Sequence, residues 1–366
     1  MNVTCNRSAL FEAVQLASSI VPTRSPKPVL QCTRIGVDQT KKLLTVIASD
    51  DEITIECKIA QVEIAQEGVT VLPADRVTGI LRESNDESIR LEASESACEI
   101  IGMDSRFKVL GQRPDDFPVF EFKKARDGFK VKAQQLKAMI HQVSFAASRE
   151  SSRYALNGVL WEKKGKQLRM VATDGRRLAQ VDGEVESGGD DERTAIVPIK
   201  VMTLLERIVS DPDEVFEISF SSNQAMIFTS NVSLMSTLVQ GRFPKYEDVI
   251  PTDCDKKIPL NVDAFQSAVR RAALLTNEQS RGVAFQFSQG KLRFSSSTPE
   301  MGEAEINLPV QYDREESQIG FNPQYLLEML RVVESEEVDF EFRDGKRPGL
   351  LRDGKRFLYV VMPVTV

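Results

Sequence analysis

The chain has almost no histidine: His141 is the only one in 366 residues. Histidine-based catalytic triads, His-rich metal sites and the HExxH zinc motif cannot be assembled freely from one imidazole. His141 falls within a predicted helix, where we expect a hydrogen-bonded or solvent-facing side chain. The composition therefore argues against several large classes of enzyme.

Cysteines are few, odd in number and scattered. No CxxC pair occurs, so the sequence indicates neither a disulfide framework nor a zinc knuckle. The pattern favours a reducing, cytoplasmic location. The five cysteines are Cys5, Cys32, Cys57, Cys98 and Cys254.

No apolar stretch approaches the roughly 18–20 residues that a membrane span requires, so we expect no membrane partner. The opening residues, "MNVTCNRSALFEAV", alternate and then become helical, which predicts a folded domain and not a signal peptide. A chain of 366 residues predicts two or three domains. Its net charge of −7 means that a surface for nucleic acid must concentrate the basic residues locally.

Three patterns that suggest catalysis are incomplete. Residues 349–355, "GLLRDGK", have phosphate-loop spacing, but Arg356 stands where Ser or Thr would bind magnesium and a strand follows, so we predict a hairpin turn. Residues 105–108, "SRFK", match SxxK but lie in an alternating β pattern. The acidic pairs fall in turns, where they are common without a metal: Asp50-Asp51, Asp115-Asp116 and Asp190-Asp191. We therefore predict no catalytic residues, no metal site and no cofactor.

The chain does contain a phrase that is repeated three times. It reads as a short strand and an amphipathic helix in "VTCNRSALFEAVQLASSI", "KVKAQQLKAMIHQVSFAAS" and "IPLNVDAFQSAVRRAALLTN", with offsets of 126 and 129 residues. A second phrase recurs with offsets of 125 and 124, in "TVLPADRVTGILRES", "AIVPIKVMTLLERIV" and "IGFNPQYLLEMLRVV". Two phrases with one period predict three copies of about 120 residues.

Patterns typical of β-strands fill the space between the predicted helices. "QLRMVATDGRRLAQVDG" predicts a hairpin that turns at Asp174-Gly175, a dipeptide that tolerates positive φ. Each copy thus predicts two βαβββ half-units, with two helices packed on antiparallel sheets, which is an α+β fold. Charged and turn-rich stretches divide the chain into three similar domains, at residues 1–124, 125–253 and 254–366.

Positive charge is concentrated on the six predicted helices, at residues 7–20, 74–82, 133–149, 199–208, 262–275 and 323–332. These hold ten basic and five acidic residues, which leaves −12 on the rest of the chain. If equivalent helices share one surface, it is basic on an acidic body and attracts phosphates without sequence preference. Ordinary solvated helix faces are the alternative. No aromatic stacking platform accompanies the helices, so base reading is not indicated.

Phrases along the whole chain resemble the β subunit of bacterial DNA polymerase III, the sliding clamp family. They are "RYALNGVLWE", "VATDGRRLA", "QGRFPKYEDVIP", "LLTNEQSRGV" and "YVVMP". The resemblance implies clamp domains in a head-to-tail dimeric ring that encircles duplex DNA, and no chemistry of its own. It implies these partners: a replicative DNA polymerase catalytic subunit, a clamp-loader ATPase and other clamp-motif proteins of replication and repair. The expected location is cytoplasmic and nucleoid-associated.

The resemblance also implies a cleft for partner peptides, in which the C-terminal segment forms one wall. The last predicted strand explains "FLYVVM" but not Pro363 and the three residues after it. Asp248, Arg176 and the "VTV" ending depart from residues that are frequent in the family, which bears on the choice of partner. Carried onto this sequence, the cleft comprises Leu156, Thr173, Gly175, Arg177, Leu178, Pro244, Val249, Val360, Met362, Pro363 and Val364, with Thr365 and Val366 at its lip.

Basic residues of the helices and of the loops at their ends are the candidates for contact with DNA. Two alternatives stay open: a metal-dependent nuclease on a three-fold scaffold, and a paralogue that binds peptides without encircling DNA. The candidates are Arg24, Arg76, Arg82, Arg149, Arg153, Tyr154, Lys200, Arg207, Arg270, Arg271 and Arg281.

Overall fold

A computed structural model describes residues 1–125, 127–150, 154–209, 211–276, 282–299 and 301–366. Six α-helices lie in this part of the chain, and each follows directly on a strand. They are Arg7–Ser18 (α1), Ala74–Glu83 (α2), Ala133–Ser144 (α3), Ile199–Ile208 (α4), Val262–Ala272 (α5) and Pro323–Leu330 (α6).

Every predicted helix start is confirmed to the residue. Asparagine caps explain three of them: the Oδ1 atoms of Asn6 and Asn261 accept hydrogen bonds of 3.0 Å from the third residue onward, and Asn322 caps α6 in a similar way. Most of the helix ends differ from the prediction. The helix that begins at Ala133 stops at Ser144, five residues before the predicted end, so Arg149 lies outside it.

The strands were numbered along the chain. They are Asn2–Asn6 (β1), Cys32–Asp38 (β2), Leu43–Ser49 (β3), Ile53–Ile59 (β4), Val62–Gln66 (β5), Gly68–Pro73 (β6), Ser88–Ala93 (β7), Ala97–Ile101 (β8), Arg106–Leu110 (β9), Phe129–Lys132 (β10), Gly158–Lys164 (β11), Gln167–Thr173 (β12), Arg177–Glu184 (β13), Arg193–Pro198 (β14), Val215–Phe220 (β15), Gln224–Phe228 (β16), Val232–Thr237 (β17), Lys256–Asn261 (β18), Val283–Ser288 (β19), Lys291–Thr298 (β20), Gly302–Pro309 (β21), Ser317–Phe321 (β22), Glu337–Phe342 (β23), Gly349–Asp353 (β24) and Phe357–Val361 (β25).

The first compact unit comprises Met1–Gln134, Glu186–Gly189 and Arg207–Leu238. It holds a five-stranded sheet, β5-β1-β7-β8-β9, and an eight-stranded sheet, β10-β15-β16-β17-β4-β3-β2-β6. Helices α1 and α2 pack side by side, with 3.0 Å between the hydroxyl oxygens of Ser18 and Thr78. Apolar side chains of α1, including Leu10 and Val14, are buried in the core.

The second compact unit comprises Gln135–Val185, Asp190–Glu206 and Val239–Val366. It holds an eight-stranded sheet, β14-β11-β12-β13-β25-β24-β23-β18, and a four-stranded sheet, β21-β20-β19-β22. Phenylalanines fill the core below α5: the ring of Phe285 lies 4.7 Å from that of Phe294 and 5.3 Å from that of Phe321, centre to centre. Edge contacts of this kind are the preferred geometry for aromatic rings.

Strand pairing among the described residues is antiparallel, as predicted, and each eight-stranded sheet combines strands from two sequence copies. In the first unit β17 pairs with β4, and in the second β25 pairs with β13. "GLLRDGK" is a hairpin between β24 and β25, with Gly354 at a φ of +59°. "SRFK" leads into β9. Both patterns therefore have the structural explanation that was predicted.

Two further searches covered the part of the chain that the structure describes. It brings no group of three or more His, Cys, Asp or Glu side chains together in a way that could hold a metal ion. No helix there has the length and apolar character to cross a membrane.

Candidate functional site

The turn between β12 and β13 is a tightly hydrogen-bonded hairpin. Gly175 has a φ of +86°, which favours glycine, and its N–H donates to Thr173 Oγ1 at 3.0 Å. The Thr173 hydroxyl in turn donates to the carbonyl of Arg177 at 2.5 Å. Asp174 Oδ1 accepts from the backbone N–H groups of Arg176 and Arg177. Two of the predicted cleft residues, Thr173 and Gly175, thus define one rigid turn.

The C-terminal segment is attached to this turn. The N–H of Met362 donates to the carbonyl of Arg176 at 2.9 Å, directly after β25. Because β25 pairs with β13, Val360 lies opposite Leu178 in the sheet. The structure therefore brings the predicted cleft residues of the hairpin and of the C-terminal segment together.

An apolar cluster forms the floor of the site. It contains Leu178 and Val360, with Leu156 packed against it, so three predicted residues share one buried surface. Phe243 and Tyr246 belong to the same cluster, their rings 6.4 Å apart and edge to face. The buried members are Leu160, Val171, Leu178, Ile196, Phe243, Tyr246, Leu350, Leu358 and Val360.

Exposed apolar side chains form a rim beside this floor. Met362 is 41% exposed and Val249, at the end of a short 3-10 turn, is 47% exposed. Pro244 is also exposed and lies next to Phe243 of the floor, whereas Pro363 is half-buried. Val364 completes the predicted set with an exposed fraction of 37%. Apolar side chains that remain in water beside a packed floor are typical of a docking site.

A polar network supports the floor from its edge. Tyr246 donates a hydrogen bond of 2.6 Å to Glu162 and accepts one of 3.4 Å from Arg169. Arg169 also binds Asp182 with two hydrogen bonds, of 2.6 and 3.1 Å. Burial, together with the hydrogen bond to Glu162, raises the pKa of the Tyr246 hydroxyl. The tyrosine therefore stays neutral and keeps its ring in the floor.

Arg177 was predicted in the cleft, but its charge points into the protein. Its guanidinium donates to the carbonyl of Phe145 at 2.8 Å, to Asp174 Oδ2 at 3.1 Å and to Glu328. The side chain is only 9% exposed. Arg177 therefore stabilises the hairpin from behind, and its guanidinium is committed to these acceptors.

A small cavity of about 200 Å³ lies next to the hairpin. Arg149, which was a candidate for DNA contact, lines this cavity and is exposed. Sequence reasoning missed Tyr325, which also lines it; the aromatic residue in the first turn of α6 was the available signal. The other lining residues include Ser148, Glu150, Asp174 and Arg176.

In the first unit, the candidates for DNA contact lie on helices and in one loop. Arg76 and Arg82 are exposed on α2, and Arg24 is exposed in the loop after α1. Arg207, in the last turn of α4, lines a groove of about 940 Å³ together with Glu12 of α1. An acidic neighbour weakens the attraction of this groove for phosphate.

In the second unit, Lys200 is exposed at the start of α4, and Arg270 and Arg271 are exposed in the last turn of α5. Arg270 donates to Gln266 at 3.1 Å, one helical turn earlier. Arg153 and Arg281 lie outside the described residues, as does the side chain of Tyr154.

The observed helix ends reduce the predicted charge bias. Arg149 and Arg331 fall outside the helices and Glu83 falls inside, so the six helices hold eight basic and six acidic residues. The excess is +2 in place of +5. The prediction of a strong basic bias on the helices was therefore wrong in magnitude, because it depended on helix ends that the sequence does not mark. His141 is 62% exposed, with Nδ1 3.7 Å from a carboxylate oxygen of Glu206, as expected for a solvent-facing residue.

Comparisons with known proteins cover the chain from end to end. Sequence profiles of the DNA polymerase III beta subunit match its N-terminal domain to residues 1–121, its central domain to 130–245 and its C-terminal domain to 247–365. The beta sliding clamp of Pseudomonas aeruginosa is 32% identical over 367 residues, which cover 100% of both chains.

Solved structures give the same result. A sliding clamp from P. aeruginosa bound to griselimycin superposes with a TM-score of 0.95 at 31% identity and covers 100% of both chains. The clamp from Bacillus subtilis has a TM-score of 0.95 at 27% identity and covers 100% of this chain and 99% of its own.

The three matched domains and the solved neighbours establish a three-domain clamp fold, which belongs to processivity factors of DNA polymerases and not to enzymes. Within this class, the chain belongs to the DNA polymerase III beta subunit family, the beta sliding clamps.

Proposed function

We propose that two copies of this chain close head to tail into a ring around duplex DNA, and that partner proteins dock on the cleft described above. The replicative DNA polymerase catalytic subunit, a clamp-loader ATPase and other clamp-motif proteins of replication and repair are the proposed partners. The proposed location is the cytoplasm, at the nucleoid. We assign the three domains to residues 1–124, 125–253 and 254–366.

The observation that carries the docking proposal is the combination of a buried apolar floor with exposed Met362, Val249 and Val364 beside it. An apolar peptide side chain that enters such a site loses contact with water without unpairing polar groups. The flexible thioether of Met362 adapts to side chains of different shapes, which suits a site with several partners. Griselimycin on the related clamp supports a ligand-binding role for this surface in the family.

The dimer proposal is supported first by the edge strand β9 of the first unit. β9 is the last strand of the five-stranded sheet, and it carries two exposed apolar side chains, Phe107 and Leu110, the latter 71% exposed. Exposed, apolar strand edges favour pairing with another chain. Arg106 and Lys108 add positive charge to this edge.

A matching edge exists in the second unit. β21 is an edge strand of the four-stranded sheet, with Glu303 and Glu305 exposed. Leu274, in a 3-10 turn that contacts β21, is 69% exposed. Pairing of β9 with β21 of a second copy would cover both apolar edges and bring opposite charges together. Applied twice with two-fold symmetry, this contact closes a ring.

The test of encirclement uses nicked circular DNA, onto which the protein is loaded by a matching loader ATPase and ATP. After a wash with salt, the circle is cut once with a restriction enzyme. Release that occurs only after the cut means that the protein was linked topologically to the DNA. Retention after the cut, or loss during the wash, would contradict the ring and favour a peptide-binding paralogue.

A further inference from the structure

The last three residues lie against two glycines of the second unit. The N–H of Val364 donates to the carbonyl of Gly320, in β22, at 2.9 Å. A Cβ atom placed on Gly320 would lie 2.5 Å from the carbonyl oxygen of Val364 and 2.7 Å from both methyl groups of Val366. A Cβ atom on Gly282 would likewise collide with Val366.

For both glycines, the three atoms that an added Cβ would approach most closely all belong to Val364–Val366. Neither glycine is among the residues with a positive φ, so the backbone at these positions accepts any residue. The missing side chains therefore serve one purpose that the structure makes visible: they leave space for the C-terminal segment. We call Gly282 and Gly320 the glycine seat.

The segment is held on both sides of Pro363. Met362 is bonded to the hairpin through Arg176, and Val364 is bonded to the seat through Gly320, each at 2.9 Å. Between these two anchors proline has a fixed φ and few conformations. The side chains of Met362 and Val364 nevertheless remain exposed at the rim. The rim is thus arranged before a ligand arrives.

We propose that Gly320 and Gly282 are positioning residues of the cleft, which hold Met362 and Val364 in the conformation that receives a partner. This inference rests on the proposed docking function. A rim that is ordered in advance does not lose conformational freedom when a ligand binds, and this raises affinity. A side chain at the seat would displace the segment and leave the rim mobile.

The variant Gly320→Ala tests the proposal, with griselimycin as the probe in isothermal titration calorimetry on the full-length protein. We expect binding about five- to tenfold weaker than in the unaltered protein, which corresponds to the ordering of one or two side chains. Gly79→Ala is the matched control, because an added Cβ there meets no atom within 4 Å. Its griselimycin affinity should not change.

A second pair of variants separates an effect through the segment from damage to the sheet. Deletion of Val364–Val366 should weaken binding, and Gly320→Ala added to this deletion should weaken it no further, because the atoms that the methyl group would meet are gone. An equal loss in the truncated and full-length chains, or tighter binding in either, would overturn the role of the seat.

The same titrations keep this inference apart from the docking proposal. If griselimycin binds the unaltered protein and the variant Met362→Ala equally well, the cleft itself is wrongly placed. If Met362→Ala weakens binding but Gly320→Ala leaves it unchanged, the cleft stands and only the glycine seat is refuted.

Discussion

The guanidinium carbon of Arg177 lies 4.5 Å from the centre of the Tyr325 ring. This cation–π contact joins the hairpin after β12 to the first turn of α6. Arg177 adds an ion pair with Glu328 on the same helix, and Tyr359 of β25 donates a hydrogen bond of 2.9 Å to the carbonyl of Tyr325. The position of Tyr325 beside the cleft is therefore fixed by two residues from different strands.

The first prediction concerns this contact. Arg177→Met should lower the free energy of unfolding by about 3 kcal/mol, because it leaves Asp174 and Glu328 without their buried cation. The measurement is the urea midpoint followed by circular dichroism. The control is Arg343→Met, whose side chain is 47% exposed in its pair with Asp253 and should change stability by less than about 1 kcal/mol. Equal effects of the two variants would contradict the structural role of Arg177.

A second prediction concerns the rim of the cleft. Met362→Ala should weaken griselimycin binding at least tenfold, since burial of a methionine side chain contributes about 1.5–3 kcal/mol. Removal of Met362–Val366 should have a larger effect, and both variants should still form dimers in sedimentation velocity. Met103→Ala is the control, because this side chain is 96% exposed in the first unit. Loss of the dimer in the truncated protein would show that the segment is structural.

The third prediction concerns the strand edge β9. Leu110→Asp should dissociate the dimer, because a carboxylate would be buried against the acidic edge of β21. Sedimentation velocity at micromolar concentration measures the change. Val119→Asp introduces the same charge at an exposed apolar position outside the strand and should leave the dimer intact. A dimer that survives Leu110→Asp would move the interface away from β9.

A fourth prediction concerns alkaline pH. Burial raises the thiol pKa from 9.0 to about 12 for Cys5, Cys57 and Cys98, and to about 11 for Cys32. The folded state thus holds these protons more tightly than the unfolded chain does. The resulting stability is complete below pH 9 and is lost as the pH rises from 9 towards 12. The urea midpoint should fall over this interval, and a Cys57→Ala variant should show a shallower fall. A midpoint independent of pH above 9 would contradict the effect of burial.

The sequence predicted helix starts well and helix ends poorly, for a physical reason. Asn6, Asn261 and Asn322 mark the starts with side-chain caps, and these signals are local. No glycine cap follows Ser144 or Ala272, so amphipathic residues beyond these points resemble more helix. The overestimated positive charge of the helices followed directly from this error.

The predicted cleft residues came from a resemblance, and the structure brings most of them together because β13 pairs with β25. The partners that support them could not be predicted from local patterns. Arg177 and Glu328 are separated by 151 residues, and Tyr246 and Glu162 by 84. Pairs at such distances follow from the order of strands in the sheet, and hydrophobic periodicity does not determine that order.

The pairing of distant strands has a consequence during synthesis on the ribosome. The outer edge of β4, Ile53–Ile59, acquires its neighbour only when Val232–Thr237 has been translated. In the second unit, β25 lies between β13 and β24, so the edge of β13 waits for Phe357–Val361. Two apolar strand edges are therefore open for much of translation. Such edges are the surfaces that chaperones protect from aggregation, and a nascent chain of this protein should need that protection until its final strand emerges.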